Sequence, residues 1–159
     1  MTLQVLVSCL CSSSVLASNN ASLQINTVKS LYNQCIGYEK ENRRNIDNPY
    51  YESKDCREIL YKLASNDFKK AIAMEKDFEK KYFNEGYICD AIYIWDSQDP
   101  DYNAKLTFTN LPNNKVKVKF GYGGHVTYSL SCNKNKCQIT DLFNRNNLSQ
   151  KNIIFQECQ

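Results

Sequence analysis

The amino-acid sequence predicts an α+β fold in which two or three N-terminal helices pack on a curved, cone-like antiparallel sheet of four or more strands. Between residues 22 and 82, apolar residues recur every three or four positions, which is the helical period. After Gly86 the apolar period changes to two, which is the strand period. Short turns rich in Asn, Gly and Lys separate the alternating segments, as in antiparallel hairpins.

The N-terminal half contains three predicted helices. Residues 22–39 carry one apolar stripe, formed by Ile25, Val28, Leu31, Tyr32 and Cys35. The polar residues 40–54 predict a loop. Asp55, with Glu58 three residues later, resembles a capping box for a second helix. Asn66 is expected to cap a third helix, which buries Phe68, Ala71, Ile72, Phe78 and Tyr82.

The C-terminal half is predicted to form the sheet. Residues 87–95, "YICDAIYIW", are rich in β-branched and aromatic residues and indicate a strand. Alternating apolar and polar residues indicate further strands in "AKLTFTN", "KVKVKFGY", "HVTYSLSC" and "CQITDLF". We expect one face of this sheet to be covered by the helices and the other to face water.

The N-terminal residues differ in composition from the rest. Residues 1–17 carry no charge, contain a short apolar run and end in Val15-Leu16-Ala17. This pattern predicts a signal peptide cleaved after Ala17, followed by a single domain over residues 18–159 in the periplasm or secreted. An alternative is a lipobox, "LVSC", with lipid attached to Cys9. No segment approaches the roughly 20 apolar residues of a membrane span.

The expected export determines how the cysteines are interpreted. Six would remain after cleavage, and an even number in a small exported domain predicts disulfides. Two of them flank a polar loop of four residues, a spacing that brings opposed strand positions together in a hairpin. The other four cysteines allow three pairings, and we expect the one in which one bridge ties the first two helices and the other ties the tail to the sheet. The predicted pairs are Cys132–Cys137, Cys35–Cys56 and Cys89–Cys158.

Composition argues against several functional classes. The net charge is +3, and acidic residues alternate with lysines along the predicted helices, so no nucleic-acid partner is expected. His125 is the only histidine and no CxxC motif occurs, so no metal site is expected. Gly121, Gly123 and Gly124 lie between predicted strands rather than before a helix, so no cofactor is expected.

The segment "CDAIYIWDSQDPDY", residues 89–102, contains the only tryptophan and four carboxylates. We interpret it as a strand followed by an acidic turn that forms a binding rim. Tyrosine and tryptophan are strong interface anchors, and here they are expected to be exposed. The candidate binding residues are Asp90, Tyr93, Trp95, Asp96, Asp99, Tyr102, Tyr122, His125 and Tyr128.

Residues 66–143 resemble small exported bacterial proteins with a nuclear-transport-factor-like, or cystatin-like, α+β cone. The resemblance rests on "NDFKKAIAMEKDFEKKYF", "CDAIYIWDSQDP" and the run that ends in "SLSCNKNKCQITDLF". Such proteins are similar in build to some immunity proteins that block toxins delivered between bacteria. The resemblance therefore implies a protein partner, such as a toxin or an effector.

These observations favour an exported, non-enzymatic binding protein of the immunity or inhibitor type. Two alternatives remain open from the sequence. One is a small-molecule binder that uses the interior of the cone, since this fold hosts many functions. The other is a small hydrolase that uses Asp90 with Asp96, because paired carboxylates can act as acid and base.

Overall fold

The computed structural model describes residues 12–86, 89, 91–97 and 100–159. These residues form an α+β fold, as predicted, with three helices ahead of an antiparallel sheet in the order β1-β2-β3-β4. In chain order the elements are α1 (Ser12–Arg44), α2 (Cys56–Leu63), α3 (Asn66–Tyr82), a 3-10 turn (Phe83–Glu85), β1 (Leu106–Leu111), β2 (Lys115–Phe120), β3 (His125–Cys132), β4 (Cys137–Phe143) and α4 (Gln150–Glu157).

Helix α1 is longer than predicted at both ends and contains the expected cleavage position after Ala17. Residues 1–11 lie outside the described residues, and the signal peptide and the lipidation of Cys9 stay predictions. The predicted stripe is buried at Val28, Leu31, Tyr32 and Cys35 and half-buried at Ile25. Through this stripe α1 contacts all the strands of the sheet. No helix among the described residues combines the length and hydropathy of a membrane span.

Local capping explains where the two middle helices begin. The Asp55 carboxylate accepts the backbone NH of Arg57 at 2.8 Å and caps α2, as predicted. For α3 the predicted cap, Asn66, is wrong by one residue, because the Ser65 hydroxyl accepts the NH of Phe68 at 3.4 Å. The NH of Ser65 donates to the Ile139 carbonyl at 2.8 Å, which fixes this residue outside the helix.

The sheet is a meander with one apolar face and one largely polar face, on which Leu111 and Phe143 are the apolar exceptions. On β2, Val116, Val118 and Phe120 are buried toward α1, while the alternating lysines point to the opposite face. A register shift between Ser129 and Leu130 interrupts the pairing of β3 with β4. We call the face toward α1 the inner face and the opposite one the outer face.

The core lies between α1 and the inner face and is centred on Tyr32. The ring of Tyr32 lies 4.9 Å from Trp95, 6.0 Å from Phe120 and 6.1 Å from Tyr128, measured between ring centroids. These side chains are all buried. The interior between helix and sheet is therefore filled by aromatic side chains.

Three cysteine pairs are bridged, with the pairing expected from the sequence. Cys35–Cys56 joins α1 to α2, Cys132–Cys137 closes the hairpin of β3 and β4, and Cys89–Cys158 joins the end of α4 to the segment after α3. Their Cα atoms lie 5.1, 4.0 and 5.6 Å apart, respectively. Disulfides of this number in a small domain are typical of an oxidising environment.

Two elements differ from the sequence prediction. The strand expected over residues 87–95 is absent from its described part, where residues 91–95 have neither helical nor strand structure. Helix α4 was not predicted, because its apolar residues Ile153, Ile154 and Phe155 are consecutive instead of spaced by three or four. Ser149 nevertheless caps it by accepting the NH of Asn152 at 3.0 Å.

Candidate functional site

Residues 91–97, which we call the strap, connect the helical half of the molecule to the sheet. They are largely buried although they form no regular secondary structure. Buried backbone NH and carbonyl groups require hydrogen-bond partners. In the strap these partners are side chains, and they come from α1, α3, α4 and the turn between β2 and β3.

Glu75 and Gln150 take the place of a neighbouring strand. Glu75 Oε1 accepts the backbone NH groups of Ala91 at 2.8 Å and Ile92 at 3.0 Å. Gln150 Oε1 accepts the NH of Tyr93 at 2.9 Å, and its Nε2 donates to the Tyr93 carbonyl at 3.4 Å. Side chains, instead of the backbone of a neighbouring strand, thus satisfy these backbone groups. This explains why the predicted strand does not form here.

Glu75 is an unusually buried carboxyl, with only 1% of its surface exposed. Burial raises its pKa from 4.5 to about 7, although the strap NH groups and the charge of Arg57 act to lower it. Its second oxygen, Oε2, has no hydrogen-bond partner among the described residues. Leaving a buried polar atom unpaired costs about 1–3 kcal/mol. Glu75 therefore holds the strap at an energetic cost.

Three tyrosine hydroxyls hold the second half of the strap. Tyr32 donates to the Ile94 carbonyl at 2.6 Å, and Tyr128 donates to the Tyr32 hydroxyl at 2.9 Å. Tyr122 donates to the Trp95 carbonyl at 2.5 Å. Burial raises the pKa of Tyr32 and Tyr128 well above the ordinary value and that of Tyr122 to about 12. All three hydroxyls thus keep their protons at neutral pH and act as donors.

Asp96 anchors the end of the strap to the turn before β3. Its φ of 50° is in the left-handed region, and its Oδ2 accepts the backbone NH of His125 at 3.1 Å. A Cβ atom on Gly124 would approach this oxygen to 2.5 Å, so the contact requires glycine there. Burial and the nearby charge of Lys117 lower the pKa of the His125 side chain, while Asp96 raises it.

A groove of about 670 Å³ runs along the strap, and we call it the strap groove. Its other walls are the C-terminal half of α1 and residues 53–57. Four aromatic residues, Tyr38, Tyr93, Trp95 and Tyr102, line it among a larger number of polar and charged residues. The Trp95 ring lies 5.0 Å from that of Tyr102 in an edge-to-face contact. The Cys35–Cys56 disulfide also lines it. A disulfide and a contact between two aromatic rings therefore stabilise the walls of the groove.

Charged residues on the rim of the strap groove are already paired. Lys54 Nζ lies 2.6 Å from Glu41 Oε1. The Arg57 guanidinium binds Asp55 at 2.7 Å and Glu79 at 2.8 Å. Exposed pairs of this kind add little stability. Their main effect here is to orient long side chains around the aromatic surface.

The Arg57 ion pairs separate the strap groove from a second cavity. This cavity, of about 510 Å³, lies between α2 and α3 and includes Tyr61 and Glu75 in its lining. Asp55, Arg57 and Glu79 line both spaces. Glu75 is thus positioned between the strap and the second cavity.

The binding residues predicted within residues 89–102 lie in different environments. Tyr93, Trp95 and Tyr102 all line the strap groove, and both tyrosines are half-buried. The expectation that Trp95 is exposed is wrong, because only 6% of its surface is accessible and its ring packs in the core. Asp90 and Asp99 lie outside the described residues.

The other predicted binding residues lie near the turn between β2 and β3, with one exception. Asp96, Tyr122 and His125 meet at the end of the strap through the contacts described above. Tyr128 was expected to be exposed, which is wrong, because it is fully buried and its ring faces α1. Its position on β3 puts it on the inner face with the apolar residues.

Sequence reasoning missed Glu75, Gln150 and Arg57. A signal for Glu75 existed, because it continues the buried spacing of Phe68, Ala71 and Ile72 along α3. A carboxylate on the apolar stripe of a helix needs a partner inside the fold. Gln150 gave no comparable signal, since the helix that carries it was not predicted.

The described residues do not bring together three His, Cys, Asp or Glu side chains in a geometry that could hold a metal ion. Comparisons with protein-family models, with curated proteins and with solved structures find no match to this chain. The arrangement of the site itself is therefore the basis for a functional proposal. It provides a groove lined by aromatic and polar residues, a strap fixed by side chains and a rim of paired charges.

Proposed function

We propose that this chain is an exported, disulfide-stabilised protein that acts by binding and not by catalysis. Its ligand is a segment of another protein, which binds in the strap groove. The observation that carries the proposal is the groove itself, a space of about 670 Å³ beside the strap that combines four aromatic residues with polar and charged side chains.

The composition of the groove supports a polypeptide ligand. Tyr38, Tyr93 and Tyr102 line it and are half-buried, so part of each ring remains accessible. Tyrosines supply contact area and a polar edge at a small entropic cost, which is why they are enriched in protein interfaces. The buried Trp95 ring supports Tyr102 from within the fold.

The rigidity of the walls also supports binding. The strap wall is held by side-chain hydrogen bonds, and the opposite wall contains the Cys35–Cys56 disulfide. A site that is already ordered loses less conformational entropy when a ligand binds. The resemblance of residues 66–143 to small exported proteins similar in build to immunity proteins supports a toxin or effector as the partner.

The two alternatives have less support. The interior is filled by Tyr32, Phe120 and Tyr128, which occupy the space that a small molecule would need. For a hydrolase, Asp96 was expected to act with a second carboxylate. Its Oδ2 instead accepts the backbone NH of His125, so Asp96 has a structural role.

Site-specific photo-cross-linking in the producing cells tests the proposal. A photoreactive amino acid at Ser53, an exposed residue lining the groove, should give a defined adduct with one protein. The same amino acid at the exposed Asn146, away from the groove, is the matched control. Loss of the adduct in a Tyr102→Ala variant that still folds would support the groove. Equal adducts from both positions, or none from Ser53, would contradict it.

A further inference from the structure

The outer face of the sheet carries an unbalanced array of positive charge. Lys115, Lys117 and Lys119 project from β2 at every second residue. Lys117 and Lys119 are paired with Thr109 and Thr107 on β1 and with Thr127 and His125 on β3, while Lys115 is paired with Leu111 and Ser129. Lys119, Thr107 and Thr109 are exposed, so this part of the face is open.

Carboxylates are missing from the positions where they would balance these lysines. Lys117 pairs with Thr109 on one side and Thr127 on the other. Cross-strand pairs of opposite charge stabilise a solvent-facing sheet, so an ordinary outer face would include acidic residues. The chain has 17 acidic residues. Among residues of the four strands, Asp141 is the only acidic one.

Asp141 does not neutralise the lysines. It is 8% exposed, and its oxygens accept hydrogen bonds from the Ser149 hydroxyl and the backbone NH groups of Leu142 and Lys151. The ion pairs within the described residues involve other cations than the β2 lysines. Lys115 does make a contact, since its Nζ lies 4.4 Å from the centre of the Phe143 ring. Within the described residues, Lys117 and Lys119 belong to none of these pairs and can bind a partner.

The positive charge of these lysines affects the pKa of the His125 side chain. Burial lowers its pKa, the charges of Lys117 and Lys119 lower it further, and Asp96 opposes them. A ligand that neutralised the two lysines would therefore raise the pKa of His125. Because this is the only histidine of the chain, it provides a single spectroscopic reporter at the edge of the face.

We propose that the outer face, through Lys117 and Lys119, binds an extended acidic segment of a protein with carboxylates on alternate residues. Alternate residues of a strand lie roughly 6.6–6.8 Å apart, and this spacing is shared by the lysines and by such a segment. The exposed hydroxyl groups of Thr107 and Thr109 beside the lysines can donate to the same carboxylates, whereas Thr127 is only 8% exposed. The face is separate from the strap groove, and the proposal does not depend on it.

The composition of the face favours a polypeptide over other anions. Nucleic-acid surfaces bind phosphates through both lysine and arginine, with arginine supplying the bidentate contacts, and they stack bases on aromatic rings. The four strands contain no arginine. Membrane-surface binding uses exposed apolar side chains that enter the lipid. The large exposed hydrophobic residues of the described chain lie outside the strands.

Fluorescence anisotropy with two labelled peptides tests the proposal. One peptide alternates Glu and Thr, and the other has the same composition with all the Glu residues in one block. At low salt the alternating peptide should bind at least tenfold more tightly, and the Lys117→Gln, Lys119→Gln double variant should lose most of this binding. The Lys76→Gln, Lys80→Gln variant, which removes two exposed lysines from α3, is the matched control and should retain it.

NMR titration of His125 provides a second readout. Saturation with the alternating peptide should raise the His125 pKa, and the Lys117→Gln, Lys119→Gln variant should start from a higher value and respond less. Equal affinity for the two peptides would overturn the proposal, as would equal loss in both double variants. Tighter binding of a single-stranded oligonucleotide of equal charge, or of phosphatidylglycerol vesicles, would also overturn it.

Discussion

Replacing Glu75 by Gln should change the pH dependence of stability in a defined direction. The folded-state pKa of about 7 lies above the ordinary value of 4.5, because burial disfavours the charged form. A raised pKa means that the folded chain binds the proton more tightly than the unfolded chain. The stability from this group is therefore full below about pH 4.5 and is lost as the pH rises through 7.

The magnitude follows from the two pKa values. Each pKa unit corresponds to about 1.4 kcal/mol, so a rise from 4.5 to about 7 corresponds to about 3 kcal/mol. Glutamine cannot ionise, and its carbonyl oxygen can still accept the strap NH groups that bind Oε1. The difference in unfolding free energy, wild type minus Glu75→Gln, should thus fall by about 3 kcal/mol between pH 4 and pH 8.

Urea denaturation at a series of pH values measures this difference. The groups that face Glu75 are Arg57 on α2, Glu79 on α3 and the strap NH groups, and all are present in both proteins. Glu58→Gln is the matched control, because Glu58 is an exposed carboxylate on α2. If the Glu75→Gln difference stays flat with pH, or runs parallel to that of Glu58→Gln, the burial argument is refuted.

Further predictions concern the other strap contacts. Trp95→Ala should reduce the unfolding free energy by about 3–5 kcal/mol, as for a buried aromatic residue, and urea denaturation would show it. Tyr122→Phe should cost about 1 kcal/mol in the same assay, because it removes the hydrogen bond to the Trp95 carbonyl. Gly124→Ala should lower the melting temperature more than Gly86→Ala. Their φ values are 77° and 76°, but only the first Cβ would meet the Asp96 carboxylate. Equal losses for the two glycine variants would contradict that contact.

Much of the fold could be predicted because its elements have local signals. The alternation of Lys117 with Val116 and Val118 defines a strand regardless of its surroundings, and Asp55 marks a helix start through its own backbone contacts. The disulfide partners Cys132 and Cys137 are close in sequence, so one hairpin brings them together. These features need little information from distant parts of the chain.

The strap could not be predicted in the same way, because its structure depends on distant side chains. "AIYIW" has the composition of a strand, yet its hydrogen bonds go to Glu75 and Gln150 instead of a neighbouring strand. The burial of Trp95 and Tyr128 likewise depends on how α1 lies across the sheet. Aromatic residues in a polar sequence context look alike whether they form a core or an interface.

The bridge between Cys89 and Cys158 makes a covalent circle of the C-terminal half of the molecule, since 69 positions separate its two ends. The whole sheet and α4 lie inside this circle, and the Cys132–Cys137 bridge forms a smaller circle within it. A protease that cuts one exposed turn of the sheet therefore opens the circle without releasing a fragment. The nicked chain keeps its mass, apart from one added water, until a reductant separates the pieces. In an oxidising environment, which preserves the bridge, one cut would then leave both halves in place.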